Sequence, residues 1–249
     1  MSNSVGMARQ YRVWDRGTRW FHWINVLCVL ILTAFGMIVL FAKDLGLTSA
    51  EEIPIKTLHV YVGYIFALNI VWRVIWAFIG NEHARWKALL PVGKGFATSL
   101  RDQIVSLRTG RVAVYLGHSP LGRIMILLLL LLMVVQLATG LVLAGTDLYM
   151  PPFGSWIANW VTDGDPARLA LLQPGSQEHV ISEAYSAMRA FRLPFKETHE
   201  IGFYVLALAV VVHVAANIAG DVRNATGQIS AMFSGIKTLA GVPKDGDQD

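Results

Sequence analysis

Residues 196–217 read KETHEIGFYVLALAVVVHVAAN, and two histidines, His199 and His213, interrupt a segment that is otherwise almost pure hydrocarbon. A helix advances about 100° and about 1.5 Å per residue. The fourteen steps from His199 to His213 therefore sum to ~1400°, about 40° short of four full turns, over roughly 21 Å. Both imidazoles leave the helix in the same direction, one near each side of an apolar layer. The spacing is a ladder with two rungs.

Working outward, the same hydrocarbon character recurs three more times. The chain of 249 residues is 54% hydrophobic and 15% charged, against about 25% charge in ordinary soluble domains. Residues 20–42, 124–146 and 201–220 contain no Asp, Glu, Lys or Arg, and residues 57–81 contain only Arg73. Each run is near or above the ~20 residues that cross a hydrocarbon core of ~30 Å. The expected fold is an all-α membrane protein, a four-helix transmembrane bundle. Helices are expected near 18–41, 57–79, 121–144 and 198–220, within a single domain covering 1–249. The first run is too long for a signal-peptide core and lacks a small-residue cleavage site, so it reads as a retained helix. Cys28 lies inside it as packing, and no Cys-x-x-Cys-His offers covalent haem attachment.

Lys and Arg counts orient the spans. Arg9, Arg12, Arg16 and Arg19 precede the first, and Arg85, Lys87, Lys94, Arg101, Arg108 and Arg111 fill the loop 80–120. The opposite loops are poorer in cations. Both termini are therefore expected in the cytoplasm, with 221–249 as a cytoplasmic tail ending in a disordered PKDGDQD. Basic residues form no patch that suggests nucleic acid. Phe96 to Arg111 alternates apolar and basic residues at helical spacing and is expected on the inner membrane surface. The outer loop 145–197 is expected to contain a short amphipathic helix, Ser182 to Phe191, and two interfacial anchors, Trp156 and Trp160. It exceeds what a turn needs and reads as a cap, a docking surface, or both.

Alternating topology matches the histidines by depth. His59 begins the second span on the outer side, level with His199; His22 begins the first on the inner side, level with His213. Two imidazoles on different helices at one level suit a group needing two axial nitrogens, as b-type haem does. Zinc fits poorly, because it wants three or four protein ligands together. Gly63, one turn from His59, and Gly36, fourteen residues after His22, offer room for a flat macrocycle. Arg73, fourteen residues after His59, and Arg19, one turn before His22, can pair with haem propionates that would otherwise be costly in lipid. His83 and His179 are expected in solvated loops.

The strings RWFHW (19–23), LHVYVGYIFALNIVWRVIW (58–76), LGHSPLGRIMILLLLLLMVVQLATGLVL (116–143), THEIGFYVLALAVVVHVAANI (198–218) and VRNATGQISAMFSGIK (222–237) cover nearly the whole chain. Their arrangement resembles the cytochrome b subunits of membrane-bound nickel–iron hydrogenases and related bacterial di-haem cytochromes b, the cytochrome b-561 superfamily. The resemblance implies two haems b with His22, His59, His199 and His213 as axial ligands of the iron. It also implies electron exchange between a periplasmic redox protein, such as a hydrogenase iron–sulfur subunit or a c-type cytochrome, and the quinone pool of the bacterial inner membrane. Quinone is then expected at the inner end. His118, in GHSPLG, is a candidate hydrogen-bond donor to a quinone carbonyl beside the helix-start role of Ser119 and Pro120, and Asn217 and Asp221 are candidates for proton delivery. Such a chain is an electron-transfer subunit without substrate chemistry of its own. The alternatives are a proton or ion transporter using the histidines as a relay, and a plain membrane anchor for a peripheral enzyme. The anchor would not need paired histidines, and for the transporter no span shows the broken helices expected at a substrate site.

Overall fold

The protein is described from a computed structural model covering residues 9–110, 114–224, 227–239 and 243–245. Four long helices dominate: α1 (Arg16–Leu40), α2 (Ser49–Ile79), α5 (Pro120–Leu148) and α8 (Ser182–Asn224). Each carries a stretch long and apolar enough to cross a membrane. Large apolar side chains such as Leu30, Leu68, Leu131 and Leu208 stand exposed on all four. A helix apolar on every side belongs either in a protein core or in lipid, and outward-facing leucines on four helices leave lipid. The fold is the all-α membrane class with four spans.

Local chemistry sets where these helices start. At α1, Asp15 accepts the Thr18 N–H at 2.7 Å. At α2, Thr48 and Glu51 form a reciprocal capping box: Glu51 Oε2 accepts the Thr48 N–H at 2.8 Å and Thr48 Oγ1 accepts the Glu51 N–H at 3.4 Å. That cap begins α2 eight residues before the expected position 57, and the helix runs on through Pro54, which removes one i→i−4 hydrogen bond. At α5, Ser119 Oγ accepts the Gly122 N–H at 3.1 Å, and Pro120 takes the first helical position it favours.

The chain divides into two compact units. One comprises Met1–Trp23, Val71–Leu131 and Leu206–Asp249; the other comprises Ile24–Ile70 and Leu132–Val205. All four long helices run through a boundary between them. In the first unit a ribbon that the sequence did not announce pairs β1 (Arg9–Arg12) antiparallel with β2 (Ile236–Leu239). It packs beside a core of Val13, Trp14 and Ala231. Gly235 makes the junction: its carbonyl accepts the N–H groups of Val13 and Trp14 at 2.9 and 3.2 Å. At φ 84° a Cβ there would lie 2.6 Å from the Trp14 carbonyl oxygen, so only glycine fits. Short helices α3 (Trp86–Leu89), α4 (Phe96–Arg108) and α9 (Gln228–Ser234) complete this unit. α4 buries none of its residues, and Arg111 of the expected surface helix lies outside the described residues. The tail is not loose where it is described: Lys244 N–H donates to Val114 O at 2.9 Å, and Asp245 accepts N–H groups of Leu116 and Gly117. Those two otherwise unpaired N–H groups hold Pro243–Asp245 in place; residues 246–249 lie outside the description.

In the second unit, α6 (Gly154–Thr162), α7 (Pro166–Leu171) and the start of α8 enclose a core of Ile157, Val161 and Met188, with Trp160 and Phe191 packed against it. Two expectations change here. Trp160 is part of this core, while Trp156 stays exposed. The amphipathic helix expected at 182–191 is not separate from the fourth span but continuous with it through Pro194.

Candidate functional site: two histidine pairs

In the second unit, α2 and α8 bring His59 and His199 face to face, with ring centroids 6.3 Å apart and planes at 73°. A metal bound at about 2.0–2.1 Å by each imidazole, with about 1.1 Å from nitrogen to ring centre, places two centroids about 6 Å apart. A Cβ at Gly36 would sit 3.4 Å from His59 Cε1, and one at Gly140 would sit 3.2 Å from His199 Cε1. These two glycines let α1 and α5 close on the imidazole rings. A Cβ at Gly63 would meet nothing within 4 Å, which is open space on the His59 face.

Three residues of α5 address His199, and the sequence reading assigned α5 none of them. Thr139 Oγ1 lies 2.9 Å from His199 Nδ1, and Gln136 Nε2 donates to the His199 carbonyl at 2.9 Å. Gly140 supplies the clearance. Gln136, Thr139 and Gly140 stand at i, i+3 and i+4, one face of a helix. Their polarity within the charge-free run 124–146 was the available signal.

In the first unit, His22 of α1 and His213 of α8 lie within electrostatic range of each other. His22 Nδ1 is buried without a hydrogen-bond partner, and the ring meets Trp23 edge-on at 5.2 Å. Asn217, one turn after His213, donates to the His213 carbonyl at 2.7 Å and stands 3.5 Å from its Nδ1. Two guanidinium groups belong to the same unit. Arg73 is buried, donates to the Ala84 carbonyl at 3.1 Å and stands over the Phe21 ring at 5.7 Å, yet its Nη1 is buried without a partner. Arg19 donates to the Phe233 carbonyl, while its Nε is also unpartnered. Buried cationic donors left unsatisfied are costly, and an anion with oxygen acceptors satisfies them.

These features fit a haem b. Each pair supplies two imidazoles, glycines back the His59 and His199 rings, and spare guanidinium N–H groups in the other unit suit propionates. Among the described residues no group of three or more His, Cys, Asp or Glu could hold a metal ion by itself, so a metal held by two nitrogens must bring further ligands with it.

The remaining sequence candidates lie in the first unit. His118 packs against Trp14 with ring centroids 4.6 Å apart and planes tilted by 40°, and its Nδ1 is unpartnered. It lines a cavity of about 430 Å³ together with Tyr115, Asp102, Arg123 and Lys94. Burial, followed by the charges of Lys237, Arg73, His83 and Arg123, pushes the imidazole down to about 3, so His118 is neutral. His83 is not solvated as expected; its ring packs edge-on against Trp14 at 6.2 Å. Asp221 accepts the Gln228 and Ile229 N–H groups at 2.6 and 2.9 Å, which caps the start of α9. Lys237 is buried over the Trp14 face at 5.2 Å and donates to the carbonyls of Leu116 and Gly117 at 2.9 and 3.1 Å. It thereby fixes the loop that carries His118.

Comparison with known proteins places this geometry in a family. The family described as prokaryotic cytochrome b561 matches residues 13–235. Among curated relatives, a probable Ni/Fe-hydrogenase B-type cytochrome subunit of Cupriavidus necator is 27% identical over 91% of this chain and 86% of its own length. The subunit of the same description from Azotobacter vinelandii is 24% identical over 90% of this chain and 86% of its own. A probable Ni/Fe-hydrogenase 1 B-type cytochrome subunit of Escherichia coli strain K12 is 21% identical over 91% and 90%. No solved structure matches the chain. The chain belongs to the prokaryotic cytochrome b561 family.

Proposed function

We propose that this member of the cytochrome b561 family is the membrane electron-transfer subunit of a hydrogenase-type complex, carrying two haems b between a periplasmic redox partner and quinone. The observation that carries this reading is the pair of facing histidines, His59 and His199, at a ring separation of 6.3 Å; His22 and His213, one ladder rung along α8, lie within electrostatic range of each other. The relatives named as Ni/Fe-hydrogenase cytochrome subunits support a hydrogenase as the partner; the docking protein proposed is its iron–sulfur subunit, or else a c-type cytochrome. Haem, when bound, supplies reversible one-electron chemistry. The chain's own part is to provide axial nitrogens, keep water away and neutralise the propionates through Arg19 and Arg73. In the inner membrane, with both termini cytoplasmic, the His59/His199 site is the outer one and the folded cap around Ile157 and Met188 is the partner surface. At the inner end, neutral His118 is the proposed donor to a quinone carbonyl. Asn217 and Asp221 are candidates for its proton supply; each also serves a backbone group.

The test is a set of single alanine variants read by optical difference spectra. His59→Ala and His199→Ala should remove one and the same haem, and His22→Ala and His213→Ala the other. Loss of the same haem from His22 and His59 variants would overturn the pairing.

A further inference from the structure

We infer that Thr139 is the positioning residue for His199, holding the ring with Nδ1 protonated and Nε2 free to bind iron. The inference rests on the reading of His199 as an axial ligand and adds what sets that ligand's tautomer.

A threonine hydroxyl has one proton and two lone pairs. The Thr139 proton is already committed along its own helix, since Oγ1 donates to the Val135 carbonyl at 2.7 Å, with the Gln136 carbonyl at 3.2 Å. What Oγ1 turns toward His199 Nδ1, at 2.9 Å, is therefore a lone pair, and the imidazole has to be the donor. A neutral imidazole carries one N–H, so a proton on Nδ1 leaves Nε2 as the free ligand. Thr139 is buried, so water does not compete for the contact.

Two neighbours remove the freedom that would spoil this arrangement. Gln136 Nε2 donates to the His199 carbonyl, and the Gln136 backbone is a second acceptor for the His199 ring, which likewise requires the imidazole to donate. Gly202 makes room for that amide, because a Cβ at 202 would lie 2.5 Å from Gln136 Nε2. Gly140 limits rotation of the ring by backbone approach at Cε1. The other three proposed ligands differ: His22 Nδ1 is buried without a partner, the His59 ring has the Leu32 backbone as its hydrogen-bond partner, and His213 Nδ1 has an amide 3.5 Å away.

An acceptor on the distal N–H raises the basicity of the ligating nitrogen and fixes ring orientation. A more basic ligand favours the ferric state, so Thr139 lowers the midpoint potential of the haem bound by His199.

The full-length chain in detergent provides the test, comparing Thr139→Val, Thr139→Ser and His199→Ala. Haem content, the electron paramagnetic resonance signals of the low-spin ferric haems, and optical redox titration give the readouts. Thr139→Val should raise the potential and shift the ferric signal of one haem, the one that His199→Ala removes. Thr139→Ser, which keeps the hydroxyl, should restore wild-type values. If Thr139→Val instead loses that haem while Thr139→Ser keeps it with wild-type signals, the hydroxyl role also stands. Valine and serine variants that both match wild type, or that both lose or shift the haem alike, would overturn it, since packing alone would then matter. Retention of both haems by His199→Ala would sink the ligand reading itself, a separate result.

Discussion

The His59/His199 pair and the His22/His213 pair solve one problem by different means. Around His59 and His199 the side chains are closed on: glycines press against both rings, and a threonine and a glutamine on α5 hold His199. At His22 and His213 the contacts are looser: His22 Nδ1 is buried without a partner, and the Asn217 amide stands 3.5 Å from His213 Nδ1. The first pair is oriented from neighbouring helices. In the unit of the second, Arg73 is buried within electrostatic range of Asp15, with Nη1 unpartnered. On the proposed reading each pair would hold a charged, flat group in apolar surroundings, where unpaired polarity is costly.

The strongest way to break this contrast is Gly140→Leu. A side chain where even a Cβ would lie 3.2 Å from His199 Cε1 should displace the ring and abolish one haem while leaving the other spectrally unchanged. Loss of both haems on an otherwise folded chain would mean that the two pairs are not independent.

The next largest effect concerns stability rather than haem. Met188 is fully buried in the cap core with Ile157 and Val161. Met188→Ala should cost about 2–5 kcal/mol, seen as a lower midpoint in thermal unfolding, with both haems still bound at 25 °C. Deleting Asp163–Gln177, which removes α7 and Leu172 from that core, should spare haem but reduce electron transfer from a docked partner. Haem loss with unchanged partner binding would make the cap a lid instead.

On the other pair, Arg73→Leu removes the buried guanidinium. A hydrogen bond to a charged group is worth about 1.5–3 kcal/mol, so haem retention at the His22/His213 site should weaken roughly ten- to a hundredfold. Arg73→Lys should recover part of it. Unchanged haem affinity would show that Arg73 serves only the Ala84 carbonyl and the Phe21 ring.

The smallest effect is a pH dependence. Burial pushes Lys237 down to about 8, against the opposing pull of Asp245 and Asp221. Between that value and the ordinary lysine value of about 10.4, the unfolded chain binds more protons than the folded one, so stability should rise with pH across this window. Lys237→Met should remove that rise in melting temperature. A rise that persists in the variant would assign it to another group.

Much of the fold and some of the candidate site could be read from sequence because a helix is a rigid ruler. Charge-free runs located four spans, and the 199-to-213 interval put two imidazoles on one face before any packing was known. Gly36 was expected opposite the outer site and lies against His59. Where reading ran short, the missing information was lateral or remote. Thr139 matters because of the rotation of α5 against α8, which periodicity along α5 does not specify. The ribbon joins Arg9–Arg12 to Ile236–Leu239, strands too short and too far apart in sequence to announce each other. α8 continues through Pro194, where a proline usually marks a boundary, so the sequence reading split one helix in two.

The central claim is that one chain holds two haems b, each between a pair of histidines, and pyridine haemochrome analysis of the purified full-length protein tests it most directly. The account predicts a b-type spectrum, extractable without covalent attachment, with two haems per chain. One haem per chain, or none, would contradict it.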